Sequence, residues 1–424
     1  MTADLGSHSW IGAEAYEPGS EFHERATAFL AAVKWDLLAS ISSRLRNRIP
    51  CHVHAQFSIG HFNMIRRIEF ADGASWVARL RLPPLEALSG GNREVDAANT
   101  LMVEIASMKF LKAKTSTPFP EVHSCSRSPF LLRDPANDVG APYILMGYMD
   151  GTAAAELLAA KECELGLYDT PDQDRKFRKD MAAIQATLSS FAFDRIGSLY
   201  QDEHTSEFFI GADIETSKGG PGRRPSTTAP TSRTTPSECA RAAARRPTSR
   251  RAPRSRFQSL FKHLIARYAE ESTEGPFRLT NRDFGAHNLL VNNDFEIVGV
   301  IDLDGVMAAP VELVAQYPVL TGLDREPPGH VETKPAAISR IARTGPRLEE
   351  YRDLVGVAGA EIVGGGEEAP KEEAANASPP LPPPLIASRL FSDAPSIVQG
   401  VLQYRSHQKF VNDKWMEGYL RLLR

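Results

Sequence analysis

Residues 219–256 contain ten Arg, no Lys, one acid (Glu238) and not a single Val, Ile, Leu, Met, Phe, Trp or Tyr. A stretch of that composition cannot bury enough apolar surface to offset the entropy of ordering it, so it is expected to be disordered and to divide the chain. A second stretch, GGGEEAPKEEAANASPPLPPP (364–384), is acidic and then Pro-rich, and divides it again. Foldable sequence is thereby confined to about 20–216, 257–360 and 386–424.

Taken over all 424 residues the composition is still that of a globular protein, with 42% apolar and 24% charged residues. No run reaches the ~18–20 apolar residues of a membrane-spanning helix, and the first twenty residues lack the basic start and apolar run of a secretory signal. Four cysteines stand far apart with no CxxC pair. A cytoplasmic protein without a membrane partner is the expectation. The net charge is −4, and the basic tract alone carries +9, which leaves −13 for the remainder. That balance argues against a nucleic-acid partner, with the tract itself the one exception. The abrupt change of composition has two explanations: a reading-frame or splice error in the gene, or a genuine insertion that binds acidic partners.

Local patterning then places the elements. FNMIRRIEF (62–70) and SWVARLRL (75–82) read as two strands around an Asp72-Gly73 turn. Val95, Ala98, Leu101, Met102, Ile105 and Met108 recur at spacings of three and four, as on one face of a helix over 93–112. PYILMGYM (142–149) reads as a buried strand entering an extended link. Phe177, Met181, Ile184, Leu188 and Phe191 mark another amphipathic helix, and Phe257 to Tyr268 a further one of about three turns. Strands dominate early and helices late, the pattern of an α+β fold.

The segment RLTNRDFGAHNLLVNNDFEIVGVIDLDG (278–305) carries the chemistry. Asp283 precedes Asn288 by five residues in a loop expected between the 257–268 helix and a strand. Two short strands, 288–291 and 296–302, then lead to Asp302. Phosphoryl transfer asks for placement and charge neutralisation more than for covalent chemistry. One carboxylate orients the attacking hydroxyl and accepts its proton, while an Asn oxygen and a second carboxylate hold Mg²⁺ against the ATP phosphates. The spacing of Asp283, Asn288 and Asp302 is that of the catalytic Asp, its Asn and the metal Asp in kinases.

On these residues the chain resembles the phosphotransferase enzyme family, the aminoglycoside phosphotransferase and choline-kinase relatives of protein kinases, and within it the branch common in fungi. The usual His-Gly-Asp-Leu-His-Pro-Gly-Asn loop reads here Asn281-Arg282-Asp283-Phe284-Gly285-Ala286-His287-Asn288, and Ile301-Asp302-Leu303-Asp304 is similar to Ile-Asp-Trp-Asp. Asn281 replaces a His that supports the loop by hydrogen bonding, a role open to Asn. Ser58 to Asn63, with the single glycine Gly60 and with Phe62, resembles the turn that covers the phosphates. Val77-Ala78-Arg79 resembles the third-strand Val-Ala-Lys with Arg for Lys; Arg81 shares its face, which leaves a register of two open. Glu104 is the matching ion-pair partner. Met146, Gly147, Tyr148 and Met149 resemble the hinge that presents main-chain groups to adenine. No Asp-Phe-Gly or Ala-Pro-Glu follows, so a protein kinase is not implied.

The resemblance implies a protein-kinase-like two-lobe fold: a helical extension (1–50), a β-rich N-lobe (51–146) and a hinge with the first C-lobe helices (147–216). The basic tract (217–256), a mostly helical C-lobe with the catalytic loop (257–360), a linker (361–385) and C-terminal helices (386–424) complete it. It further implies ATP and Mg²⁺ as cofactors and the hydroxyl of a small molecule as acceptor. In that reading Asp283 is catalytic, Asn288 and Asp302 bind metal, and Gly60, Phe62, Asn63, Arg79, Glu104, Met146, Tyr148 and Met149 bind nucleotide. Two other readings stand beside it. One is a catalytically impaired pseudokinase serving as a scaffold, to which Arg79 and Asn281 point; the other is polyanion binding by the basic tract.

Overall fold

A computed structural model describes residues 10, 12, 15–60, 62–83, 93–126, 138–160, 170–214, 276–319, 321 and 335–364. The basic tract, the helix expected over 257–268, the C-terminal helices and all but the first residues of the expected linker lie outside them. The chain divides into two compact units. The first comprises the residues up to Glu156 with Leu289–Asn293 and Ile297–Asp304, and the second the rest.

The first unit opens with helices α1 (Glu21–Ala32) and α2 (Trp35–Leu45). Ser20 caps α1 by accepting from the His23 N–H at 3.2 Å, which satisfies one of the otherwise unpartnered first-turn donors. Five strands follow: β1 (Cys51–Ile59), β2 (Asn63–Phe70), β3 (Ser75–Arg81), β4 (Val122–Ser126) and β5 (Tyr143–Gly147), in an antiparallel sheet of order β1-β2-β3-β5-β4. Helix α3 (Arg93–Lys114) lies between β3 and β4 in sequence. The β2–β3 turn works through Gly73, whose φ of +84° an L side chain rarely adopts, and through Asp72, whose Oδ1 accepts from the Ala74 N–H at 3.2 Å.

Strand β2 alternates strictly, burying Met64, Arg66, Ile68 and Phe70. Phe57, Met64, Ile68, Ala78, Leu80, Leu145 and Leu38 form the core between this sheet and the first two helices. Arg66 is tolerated on the inner face because its guanidinium lies 4.3 Å from the Trp35 ring centre and donates from Nε to the His54 carbonyl at 2.7 Å. Burial pushes its pKa down to about 10. A three-stranded sheet of β6 (Thr152–Ala153), β11 (Leu289–Val291) and β12 (Ile297–Val300) completes this unit. The Val300 N–H donates to the Pro118 carbonyl at 3.0 Å and ties β12 to the segment that follows α3.

In the second unit, which also takes in the end of the short helix α4 (Ala154–Ala160), helix α5 (Pro171–Ser190) begins with a capping box, Thr170 and Gln173 each satisfying the other's backbone, and with Pro171 in the first turn. Strands β7 (Ala192–Phe193), β8 (Gly197–Gln201), β9 (Phe208–Ile210), β10 (Phe277–Asn281) and β13 (Val306–Ala309) form an antiparallel sheet of order β7-β10-β13-β8-β9. Two further helices, α6 (Val311–Val314) and α7 (Pro335–Gly364), follow. Buried Tyr351 of α7 donates to Gln185 Oε1 of α5 at 2.8 Å, and Gln185 Nε2 donates to the Gln316 carbonyl at 2.8 Å.

The structure corrects one expectation here. The segment before Asp283 is the strand β10, and not a loop leaving a helix. All five of its residues are buried, and with Arg278, Thr280 and Asn281 among them it shows neither the alternation of a half-buried strand nor an apolar run.

Candidate active site

In the first unit the sheet and α3 bring Arg79, Glu104 and Asp302 together. Arg79 sits in the middle of β3 with its side chain only 4% exposed, and its Nε lies 3.2 Å from Glu104 Oε1. Its Nη2 donates to Asp302 Oδ1 at 2.7 Å. With the Asn63 amide turned so that its oxygen faces the guanidinium, Nη2 also reaches Asn63 at 2.8 Å. The planar fork is what allows one side chain to hold three oxygens. Burial alone would lower the Arg79 pKa, but the carboxylates of Glu104, Asp302 and Asp304 more than reverse it and hold the group charged. Burial pushes Glu104 up to about 8, against the pull of Arg79. Of the two arginines it is Arg79 that meets Glu104, while the Arg81 guanidinium stands 5.0 Å from the Phe62 ring centre.

Asp302 follows β12 with φ of +60°, a left-handed conformation that costs an L residue ~1–2 kcal/mol. Strain of this kind persists where surrounding structure fixes it, and here the Arg79 contact and the β12 anchor do so. Its side chain remains one-third exposed. Asp304 also contributes charge to this cluster.

The remaining first-unit candidates are more dispersed. The Gly60 N–H donates to the Asn63 carbonyl at 2.9 Å, so the turn closes on its own backbone, and a Cβ at Gly60 would meet nothing within 4 Å. Phe62 is half exposed. Met146 is buried in β5 opposite Val77. The Gly147 and Tyr148 N–H groups are already engaged, by the carbonyls of Glu121 at 2.9 Å and Ser75 at 3.2 Å. Met149 supplies the next main-chain donor. Its sulfur stands where a Cβ on Gly299 would come within 2.9 Å, so a side chain there would displace it.

In the second unit, the loop after β10 is held at both ends. Asn281 Oδ1 accepts from the Asp283 N–H at 3.1 Å, the support expected of the residue in that position. Gly285 packs so closely on Val319 that a Cβ would lie 2.3 Å from the Val319 carbonyl, and the Ala286 N–H donates to that oxygen at 3.0 Å. Arg282 Nη2 pairs with Asp213 Oδ1 at 3.0 Å. Asn288, in a single 3₁₀ turn, donates from Nδ2 to the Asp283 carbonyl at 3.0 Å and to Asp283 Oδ2 at 3.2 Å. His287 Nε2 is 3.1 Å from Asp283 Oδ1. Hydrogen bonding from His287, then charge and Asn288, hold the Asp283 carboxyl below its ordinary pKa against the effect of burial. It is therefore ionised at neutral pH.

Three contributors were not assigned from sequence: Asp304, the Arg282–Asp213 pair and the His287 contact. For the pair the sequence offers no signal, because Asp213 lies 69 positions before Arg282. For His287 the short spacing to Asp283 was available.

The α+β fold thus presents a buried cation on a β-strand with its carboxylate partner on a helix in the first unit, and an ordered Asp/Asn loop after a strand in the second. A family model described as the phosphotransferase enzyme family matches residues 66–313, more than half of the sequence, and the chain belongs to that family. Among curated proteins it is 29% identical over 157 residues to a subtelomeric hrmA-associated cluster protein of Aspergillus fumigatus, a match covering 37% of this chain and 26% of that one. The matched stretch thus spans about a quarter of the length of the curated relatives. Solved structures similar to it include the macrolide 2'-phosphotransferase MphH from Brachybacterium faecium, at 12% identity and a TM-score of 0.42 over 91% of this chain and 96% of that one. A thermostable mutant of the aminoglycoside phosphotransferase APH(4)-Ia is 14% identical, with a TM-score of 0.41 over 87% and 99%. Among the described residues no helix is long and apolar enough to cross a membrane.

Proposed function

We propose that the protein transfers the γ-phosphoryl group of ATP, with Mg²⁺, to a hydroxyl of a small molecule. The observation that carries this reading is the buried pair Arg79 and Glu104 with the partly exposed Asp302 beside it. A cation and a carboxylate are taken out of water together, and a second carboxylate is held in a strained backbone conformation beside them. Such an arrangement is costly as mere scaffolding, because burying an ion pair seldom repays its desolvation.

Each of the two proposed metal ligands supports the reading by its own chemistry, since both offer an oxygen of the kind a hard cation takes. Asp302 offers a carboxylate, and Asn288 engages its amide nitrogen with Asp283, which leaves its oxygen as the ligating atom. Asn288 and Asp302 would hold Mg²⁺, which neutralises phosphate charge when bound. Glu104 fixes Arg79 so that its charge faces the nucleotide phosphates. Asn63 and the turn from Gly60 through Phe62 would cover them, and the main chain from Met146 past Tyr148 to Met149 would receive the adenine edge. Asp283, ionised and clamped by Asn288 and His287, orients the acceptor hydroxyl and takes its proton. A weak base suffices, since the transition state of phosphoryl transfer is loose and needs little proton removal early on. The domain limits follow the two-lobe division given above.

One observation favours the second reading, a nucleotide-binding scaffold. The Arg79 guanidinium already contacts Glu104, Asp302 and Asn63. Acceptor-dependent ADP release, assayed with a panel of hydroxylated small molecules, separates the two. Release that disappears in Asp283→Ala supports phosphotransfer; intact Mg-ATP binding without turnover on any acceptor supports the scaffold.

A further inference from the structure

The outer edge of the first sheet carries a cluster that phosphoryl transfer does not use. His52 and His54 are two residues apart on the edge strand β1 and project from one face, and the ladder pairs His52 with Glu69 of β2 on that same face. His54 Nε2 lies 2.9 Å from Glu69 Oε2, and His52 Nε2 lies 4.0 Å from the same oxygen. The two imidazole rings are 4.8 Å apart, and the three potential ligand atoms all fall within 4.8 Å of one another. We propose that His52, His54 and Glu69 form a binding site for a first-row transition-metal dication, zinc or copper(II), with its remaining positions open to solvent.

The donor set selects the ion class. Two imidazole nitrogens and one carboxylate oxygen suit zinc and copper, whereas magnesium and calcium take oxygen ligands. A plain hydrogen bond accounts for His54 and Glu69, but not for a second imidazole nitrogen turned toward the same oxygen. The backbone prepares the geometry. The β1–β2 register shifts between Val53 and Phe57, a span that includes His54, and Arg66 Nε anchors the His54 carbonyl at 2.7 Å. His54 is thus held with 14% of its side chain exposed, while His52, at 65%, is free to adjust. The cation nearest in sequence, Arg67, is directed elsewhere. Its Nε and Nη2 donate to Ser75 Oγ at 3.2 and 3.0 Å, and its guanidinium lies 4.5 Å from the Tyr148 ring centre. Arg67 thus acts on Glu69 through its charge only, while the side-chain hydrogen bond to the carboxylate comes from His54.

His52 stands seven residues along β1 from Ile59, or about 23 Å at ~3.3 Å per residue from the Gly60 turn. A metal there lies away from the turn proposed to cover the phosphates and would act as a clip joining the edge strand to its neighbour. Binding to the folded state alone raises its apparent stability.

The test uses full-length protein stripped with chelator and titrated calorimetrically with zinc in millimolar magnesium. With eleven His and four Cys in the chain, the reading lies in the difference between wild type and variants. His52→Ala removes a largely exposed side chain, so it folds as wild type, and it should weaken one zinc equivalent by more than the roughly 10–100-fold that loss of an outer-shell partner costs. The copper(II) electron paramagnetic resonance spectrum should show coupling to two nitrogens in wild type and one in His52→Ala. Unchanged zinc stoichiometry and affinity in His52→Ala overturns the proposal, as does a wild-type copper spectrum without nitrogen coupling, or zinc displaced by millimolar magnesium.

Discussion

Arg79→Met tests the energetic reading of the first-unit cluster. The substitution keeps the volume of the side chain while removing the cation that neutralises Glu104, whose side chain is 3% exposed. A buried ion pair broken from one side loses about 3–5 kcal/mol, because the surviving charge has no water to turn to. Burial raises the Glu104 carboxyl and Arg79 opposes that rise, so the loss should shrink at low pH, where the carboxyl is protonated in either protein. Asp302 should add little to the loss: its side chain is 33% exposed and the solvent screens it. With a urea slope of ~2–3 kcal/mol/M, the midpoint should fall by roughly 1–2 M. Three of the four tryptophans, Trp10, Trp35 and Trp76, lie in the first unit, so tryptophan fluorescence measured in a Trp415→Phe background follows its unfolding. Arg79→Met combined with Glu104→Leu should recover most of the loss, since an apolar pair of similar volume replaces a buried ion pair at little cost. A single-variant loss below about 1 kcal/mol, or a double variant as unstable as the single one, would refute the reasoning.

Asp283→Ala should lower turnover by roughly 10²–10⁴-fold while ATP binding stays near wild type, measured by steady-state kinetics beside calorimetry. Equal loss of both would count against its role toward the acceptor. Gly285→Ala should destabilise the second unit by ~1–3 kcal/mol or more, because a Cβ 2.3 Å from the Val319 carbonyl must move backbone; unfolding monitored by hydrogen exchange at Ala286 and Val319 would report it. Tyr351→Phe leaves Gln185 Oε1 without its buried donor and should cost about 1–3 kcal/mol in thermal or denaturant unfolding; an unchanged midpoint would show the bond to be dispensable.

Much of the first unit was legible because its signals are local. The alternation of β2, the Asp72-Gly73 turn and the threefold and fourfold spacing along α3 each follow from period and turn chemistry. Strand β1 was harder: CHVHAQFSI is polar at the edge and interrupted by a register shift, so its pattern breaks after Val53. Strand β10 escaped because a strand buried on both faces has no alternation, and because its buried Arg278 reaches a partner distant in sequence, Nη1 donating to the Ser190 carbonyl at 3.1 Å. Among the candidate site residues, the roles proposed for Asp283, Asn288 and Asp302 rest on spacing. The choice of Arg79 over Arg81 was not readable in the sequence, since both point to the same side of β3 and only the packing of α3 distinguishes them.

The central claim is that Asp302 helps to hold the metal of a working nucleotide site, and calorimetric titration of ATP tests it most directly, with and without Mg²⁺, on wild type, Asp302→Ala and Asp283→Ala. Binding that requires magnesium, is lost in Asp302→Ala and persists in Asp283→Ala is the expected result. ATP binding that ignores magnesium, or that survives unchanged in Asp302→Ala, would contradict it.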